Sequence, residues 1–327
     1  MQASYEKIKV AVSEDLLKIL DRDVESFEFR KKDLSVNKNS FINTLISSYF
    51  DAFNEKEKEM TAKLNEMADK CGLRDEKKDK FIEMIVRNSY KEYQKKDNYS
   101  KAISFRPIKK NLYTIDYIEN NLLAGSSLSD YFRRMFASYC SLPQYQRERI
   151  LFKDIYNKVE EAIRRKKKIY VSTRFNAGNR TPISPYAFAV VKEETYNYLL
   201  GKNEDYRNFR LSKIKDVIII NEDTSFTAED KAHFERMIKY GPQYFYSNEE
   251  EEAEIILTPK GQKLFRSFYV YRPLVDRIEG DHYFFKCSLD QLFQYFSRFG
   301  SECYVIKPQA LKKRLIKYYR NAYEQLA

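Results

Sequence analysis

The sequence predicts a multidomain α+β chain, on the strength of three observations. Near the N-terminus a strictly alternating apolar segment is followed by two amphipathic helical stretches, and the same order returns from residue 102. Residues 169–220 hold a run of short β-rich segments, and from residue 253 strand and helix patterns alternate to the end. A chain of 327 residues accommodates two to four units of ordinary domain size.

Residues 6–12 place Ile8, Val10 and Val12 on one face and Lys7, Lys9 and Ala11 on the other, the period of a half-buried strand. Ser13 then caps a helix carrying Leu16, Leu17, Leu20, Val24 and Phe27. Asn37-Lys38-Asn39-Ser40 opens a second, with Phe41, Ile42, Leu45, Ile46, Tyr49 and Phe50, and closes a first unit at residues 1–53. Residues 54–98 are charged, helical in period and interrupted at Cys71-Gly72, which reads as a helical connector.

The second unit spans residues 99–142. Its strand, 102–108, turns Ile103 and Phe105 inward and Ser104 and Arg106 outward, while Pro107 lacks the N–H a ladder needs and ends the strand or faces out. Residues 111–123 form a helix with Leu112, Ile115 and Ile118, and Ser126-Ser127-Leu128-Ser129 starts another with Tyr131, Phe132, Met135 and Phe136. One copy alone leaves a strand edge open and its helices uncovered, so the two copies should pair, within the chain or across a dimer.

Leu142-Pro143 begins a linking helix expected to run to Lys168, its basic end suiting the helix dipole. Five strands follow at 169–175, 183–191, 195–199, 206–211 and 214–220, then a helix at 228–240 and an acidic boundary, Glu249 to Glu252. The last unit, 253–327, reads as strands at 254–257, 282–287 and 303–306 among helices at 259–268 and 289–299 and after Pro308, a small open sheet with helices packed on it.

Charge narrows the partner. Residues 101–214 contain 22 Lys and Arg against 11 Asp and Glu, so the net charge of +11 lies wholly in that stretch. A regional excess of cations suits a polyanion, because clustered charges release the counterions of a phosphate backbone. No apolar run reaches the roughly 18 residues of a membrane span, and the first residues lack a signal-peptide plan, so a cytoplasmic protein without a membrane partner is expected. Cys71, Cys140, Cys287 and Cys303 form no C-x-x-C pair and read as buried thiols. His233 and His282 have no partnering pattern, and eight glycines include no phosphate-cradling motif. Neither catalysis nor a cofactor is expected.

Ile183-Ser184-Pro185-Tyr186, then Tyr196-Asn197-Tyr198-Leu199-Leu200-Gly201, then Tyr206-Arg207-Asn208-Phe209-Arg210-Leu211 with Ile214 resemble the WYL domain, a small Sm-like β-barrel of bacterial regulators. The resemblance implies a ligand face of basic and aromatic groups on successive strands of residues 169–248, to which Arg174, Arg180, Tyr186, Tyr198, Arg207, Arg210 and Lys213 are assigned. Asn197 stands where the family carries tryptophan, which leaves Tyr198 and the arginines as contact groups. Arg207 and Arg210, three apart on a strand, point to opposite faces, so Arg210 is preferred for direct contact. For each tyrosine, core packing is the alternative.

The strand-helix-helix plan resembles the ribbon-helix-helix fold, which implies a paired ribbon entering a groove and a second helix offering its N-terminus to a phosphate. Lys7, Lys9, Ser104 and Arg106 would face nucleic acid, with Asn37 and Asn39 near a phosphate. The helix from Ser288, the strand after it and Lys307-Pro308 resemble the C-terminal extension that accompanies WYL domains and dimerises. Arg147-Glu148-Arg149-Ile150, Asn197-Tyr198-Leu199 and Tyr271-Arg272-Pro273 further resemble the WYL accessory proteins of type VI-D CRISPR systems. Two functions follow: a DNA-binding transcriptional regulator with a ligand-responsive barrel, ranked first, or a single-stranded-RNA-binding accessory protein that stimulates an RNA-guided RNase. A homodimer is implied in both. A structural dimer with an incidental basic surface is the third reading.

Overall fold

Alternating valines explain the first element: strand β1 (Ile8–Val12) buries Val10 and Val12 and leaves Lys9 in solvent. This computed structural model describes residues 7–89, 101–123, 125–173, 181–190, 196–242, 252–268 and 272–326. The chain divides into two compact units, Met1–Asp154 and Ile155–Ala327.

In the first unit Ser13 accepts the Leu16 N–H and starts α1 (Glu14–Ser26), and Asn37 accepts the Ser40 N–H and starts α2 (Lys38–Lys70). Helix α2 runs unbroken for 33 residues, so a boundary at residue 53 falls inside it. Its apolar N-terminal half packs in the core, and its charged remainder continues to Cys71-Gly72, where α3 (Asp75–Asn88) turns back against it. Strand β2 (Lys101–Phe105) stops short of Pro107, and α4 (Lys109–Asn121) and α5 (Leu128–Cys140) follow, α5 opening on a Ser127–Asp130 capping box.

The two strands pair within the chain. β1 and β2 form an antiparallel ribbon with Val10 opposite Ile103, and Val10, Val12, Ile103 and Phe105 face a core of Leu16, Leu20, Phe41, Leu45, Phe132 and Phe136. The second helices brace the ribbon crosswise: Ser129 Oγ of α5 accepts the Ala11 N–H at 3.1 Å, and Asn39 Oδ1 of α2 accepts the Arg106 N–H at 2.7 Å. The expected linking helix is two helices, α6 (Gln144–Leu151) and α7 (Lys153–Arg164), separated at Phe152. Arg164 is the last helical residue of α7, Lys166 has φ +53°, and Lys167 and Lys168 already lie in a strand.

The second unit carries β3 (Lys167–Thr173), β4 (Thr181–Val190), β5 (Asn197–Lys202), β6 (Tyr206–Arg210) and β7 (Ile214–Asp223), with a 3-10 turn at Leu211–Lys213. The sheet order is β6-β5-β4-β3-β7, a meander whose fifth strand returns beside the first. The expected closed barrel is not formed among the described residues: β6 and β7 are the two edges, with no ladder between them. Gly201 has a close-packing role, since a Cβ there would lie 2.6 Å from Ile183 Cγ2 and 2.9 Å from the Ser184 carbonyl. One face of the sheet packs on Val159 and Ala162 of α7, the other on Phe234 and Met237 of α8 (Ala228–Tyr240).

Beyond it, β8 (Ala253–Leu257), α9 (Pro259–Ser267), β9 (Val275–Glu279), β10 (His282–Phe285), α10 (Leu289–Phe296), β11 (Cys303–Lys307) and α11 (Gln309–Leu326) form a sheet of order β11-β8-β10-β9. All its pairings are antiparallel, in the β-α-β-β-α-β order of a split βαβ unit. Strand β9 has no sequence expectation behind it, because Val275-Asp276-Arg277-Ile278-Glu279 is largely charged and sits at an exposed edge. Cys71 is exposed rather than buried, and all four cysteines are free.

Candidate nucleic-acid interface

The outward face of the ribbon is built by register alone. Lys9 lies opposite Ser104 and Ala11 opposite Ala102, and continuing the register sets Lys7 opposite Arg106. Lys7, Lys9 and Arg106 are exposed, Ser104 is half-buried, and among the described residues the three cationic side chains make no ion pair. All three gather at one end of the ribbon. The other end presents Ala11 and Ala102 and ends at the exposed Lys101, opposite Val12, and the Ala11 carbonyl accepts Arg133 Nε at 2.7 Å.

The helix starts repeat that contrast. Asn37 caps α2 through its Oδ1, 3.0 Å from the Ser40 N–H, and the first turn of α2 has no acidic residue. The first turn of α5 has Asp130, tied to Ser127 and to Arg133 Nη1 at 2.6 Å. Asn39 does not flank an open helix end as expected. Its side-chain oxygen is spent on the Arg106 N–H, which fixes the basic end of β2 against α2.

On the second unit, Arg174 and Arg180 lie outside the described residues. Pairing sets Arg210 opposite Tyr198 on the α8 side of the sheet, while Arg207, opposite Gly201, is exposed. Arg207 and Arg210 do point to opposite faces: Tyr206 and Asn208 share the Arg210 side and bond to Asp230 and the Pro242 carbonyl, whereas Phe209 packs in the α7-side core. The arginine guanidinium lies 3.3 Å from the Tyr196 ring centroid. Tyr198 is 8% exposed and packs with Leu200 under Phe234, and Tyr186 stacks on Phe234 at 4.4 Å. These rings are spent on α8, so core packing is their role here. Lys213 is half-buried on the 3-10 turn.

Much of this sheet's positive charge is neutralised locally. Lys168 pairs with Glu222 at 3.0 Å, Lys167 with Asp223 at 2.8 Å, Arg207 with Asp205 at 3.4 Å and Lys202 with Asp230 at 2.5 Å. Lys168, Ser184, Lys202, Asn203 and Thr227 line an open groove of about 640 Å³ beside these pairs. Both lysines in it already have carboxylate partners, so the groove has little net attraction for an anion.

Asp230 is a latch between α8 and the sheet, and sequence reasoning missed it. It accepts from Lys202 and from Tyr206 Oη at 2.8 Å while closing the Thr227 capping box, whose T-x-x-D spacing was the available signal. Burial alone would raise its carboxyl, but the bonds from Lys202, Thr227 and Tyr206 together hold it well below the usual carboxylate range. Burial and the bond to Asp230 push the Tyr206 phenol up to about 12. A depressed carboxylate contributes stability above its unfolded pKa of about 4 and loses it as pH falls further. A raised phenol contributes stability below about 10 and loses it as pH climbs towards 12. The latch should therefore hold between about pH 4 and 10, and Asp230→Asn should flatten the acid limb of a stability-versus-pH curve. An unchanged acid limb would assign that limb to other carboxylates. The two histidines are packed: His233 stacks on Tyr206 at 3.7 Å, and His282 Nδ1 lies 2.7 Å from Glu254.

Among the described residues there is no cluster of side chains able to hold a metal ion, and no helix is long and apolar enough to cross a membrane. No family model matches the chain, and no curated protein sequence matches it. Solved structures do. One titled "Crystal structure of a CRISPR Cas-related protein" shares 18% identity, covers 98% of this chain and 94% of its own, and superposes with a TM-score of 0.65. The proteasome accessory factor B/C of Arthrobacter aurescens shares 13% identity over 65% of this chain and 35% of its own, at a TM-score of 0.22 that supports no inference. The first likeness establishes that this succession of elements, over nearly its whole length, is the fold of a known structure.

Proposed function

We propose that this chain is a non-enzymatic, single-stranded-nucleic-acid-binding accessory or regulatory protein of the WYL type. In this reading the first unit is a tandem ribbon-helix-helix pair folded within one chain, the β3–β7 meander is an opened Sm-like barrel, and the C-terminal module pairs two copies. The observation that carries it is the set of cations without ion pairs, Lys7, Lys9 and Arg106, held on one exposed face of the ribbon. Cations left in solvent side by side repel one another, and a phosphate backbone relieves that repulsion with release of its counterions.

A single strand fits better than an operator duplex. Two-fold readout of a duplex needs like groups at both ends of the ribbon, and where one end carries Lys7, Lys9 and Arg106 outward, the other presents Ala11 and Ala102 with the exposed Lys101 at its tip, so the two ends are not equivalent. The CRISPR-related title of the structural neighbour supports placing this binding in a CRISPR setting, and the resemblance of Arg147-Glu148-Arg149-Ile150 and Tyr271-Arg272-Pro273 to the type VI-D accessory proteins makes an RNA-guided RNase the partner served. Transcriptional regulation through duplex DNA is the second reading, favoured by Lys9 and Ser104 lying side by side on the outward ribbon face.

Fluorescence anisotropy of labelled single-stranded RNA, single-stranded DNA and random duplex, each at two salt concentrations, tests the choice. Tighter binding to single strands, with log affinity falling linearly in log salt, is expected. Duplex binding alone would establish the second reading, and no binding to any of the three would remove both.

A further inference from the structure

The two strand-helix-helix units differ most where their first helices begin. Burial aligns α1 with α4, setting Leu16 with Asn111, Leu20 with Ile115 and Asp23 with Ile118, all buried. Glu14 and Asp15 then correspond to Lys109 and Lys110, and Lys18 corresponds to Tyr113. Acidic residues in a first turn stabilise a helix against its dipole, and α1 follows that rule, with Lys18 bound back to Glu14 at 2.8 Å. Helix α4 breaks it. Two lysines occupy its first turn, Ile108 provides no side-chain cap, and neither lysine makes an ion pair among the described residues. Folding of the unit gives no reason for them, and a local rule broken without compensation points to a binding role.

Tyr113 stands in the same patch. It is 78% exposed, one helical turn from Lys109 and Lys110, so the three side chains share a face. The chain leads into this face from Arg106 through Pro107 and the half-exposed Ile108, making it continuous with the basic end of the ribbon. The patch ends one turn further on, where Tyr117 is held edge-on by Phe50 at 6.2 Å and Asp116 and Glu119 bring negative charge.

We propose that Tyr113, one turn beyond Lys109 and Lys110 on the face that Arg106 leads into, is a base-stacking platform over which a single-stranded nucleic acid passes as it leaves the ribbon. The proposal deepens the reading above and rests on it. A ring protruding among cations takes a base only from a strand whose bases are splayed, since the bases of a duplex are stacked on each other. Any base has a face to stack, so RNA and DNA single strands should feel this tyrosine alike.

The chain contains no tryptophan, so Tyr113→Trp places a lone indole at the site. Titration with unlabelled single-stranded RNA should quench its emission along the same curve that anisotropy of labelled RNA follows. Tyr113→Ala should weaken binding by roughly 5- to 150-fold, the loss of one base stack, and Tyr113→Phe should leave it within about twofold, since the aromatic face is retained. If RNA binds while the indole stays unquenched and Tyr113→Ala retains full affinity, the platform is wrong and nucleic-acid binding stands. If the wild type binds no single strand, both are wrong. A change of sedimentation for Tyr113→Ala with affinity unaltered would instead make this face an interface between copies.

Discussion

Replacing Asp23 by alanine is expected to lower the stability of the first unit by about 3 to 5 kcal/mol, the effect of stranding a buried charge. The Asp23 carboxylate has no solvent exposure near the end of α1. It accepts from Arg147 Nε at 2.6 Å, from Arg147 Nη2 at 2.9 Å and from Tyr139 Oη at 2.9 Å. Arg147 Nη1 gives its own bond to the Leu142 carbonyl at 2.5 Å. One carboxylate thus ties α1 to α5 and α6, and burial, with Asp23's charge, keeps the Tyr139 phenol far above its ordinary pKa as a donor. Without the carboxylate, a guanidinium 4% exposed keeps its charge and loses its counter-charge. Urea denaturation checks this, and Asp23→Leu with Arg147→Met should recover most of the loss, because the penalty comes from the unpaired charge. A loss under about 1 kcal/mol would rank this bridge with exposed ones.

The second large effect is on binding. Removing Lys7, Lys9 and Arg106 together by alanine is expected to reduce the slope of log affinity against log salt by about 2, as three phosphate contacts to a single strand require. At 0.1 M salt that slope change corresponds to roughly a hundredfold weaker binding. These side chains are exposed and without ion pairs among the described residues, so the fold should survive their removal. Replacing Lys202 and Arg207 on the second unit should change the slope far less, because each already faces a carboxylate. Equal slopes for the two variants would move the phosphate track away from the ribbon.

Periodicity made much of this chain legible. The alternation of Ile8, Val10 and Val12, the caps Ser13 and Asn37, the helix start within Ser126–Ser129 and the opposite parity of Arg207 and Arg210 are consequences of backbone geometry over a few residues, and each is realised. The outward placement of Lys7, Lys9 and Arg106 is legible for the same reason, since a strand's outward face can be counted off. Other site assignments depended on what covers a residue. Tyr198 and Tyr186 belong to a strand pattern that offers rings for base stacking, but α8 lies over them. Lys202 adds to the regional cation count, but Asp230, 28 residues away, holds it. Asn39 looked like a free helix-end group until the Arg106 N–H was found on it.

The sequence by itself therefore determined most of the elements, β9 and the break at Phe152 excepted, the faces of its amphipathic segments and the basic excess between residues 101 and 214, all set by local spacing and composition. Tertiary structure alone decided that the two ribbon strands pair within one chain, that the β3–β7 sheet stays open among the described residues, and which cations remain without carboxylates. The reason is physical. A strand edge, a ring face and a charge are each satisfied by a partner distant in sequence, and only the folded chain brings that partner within bonding distance.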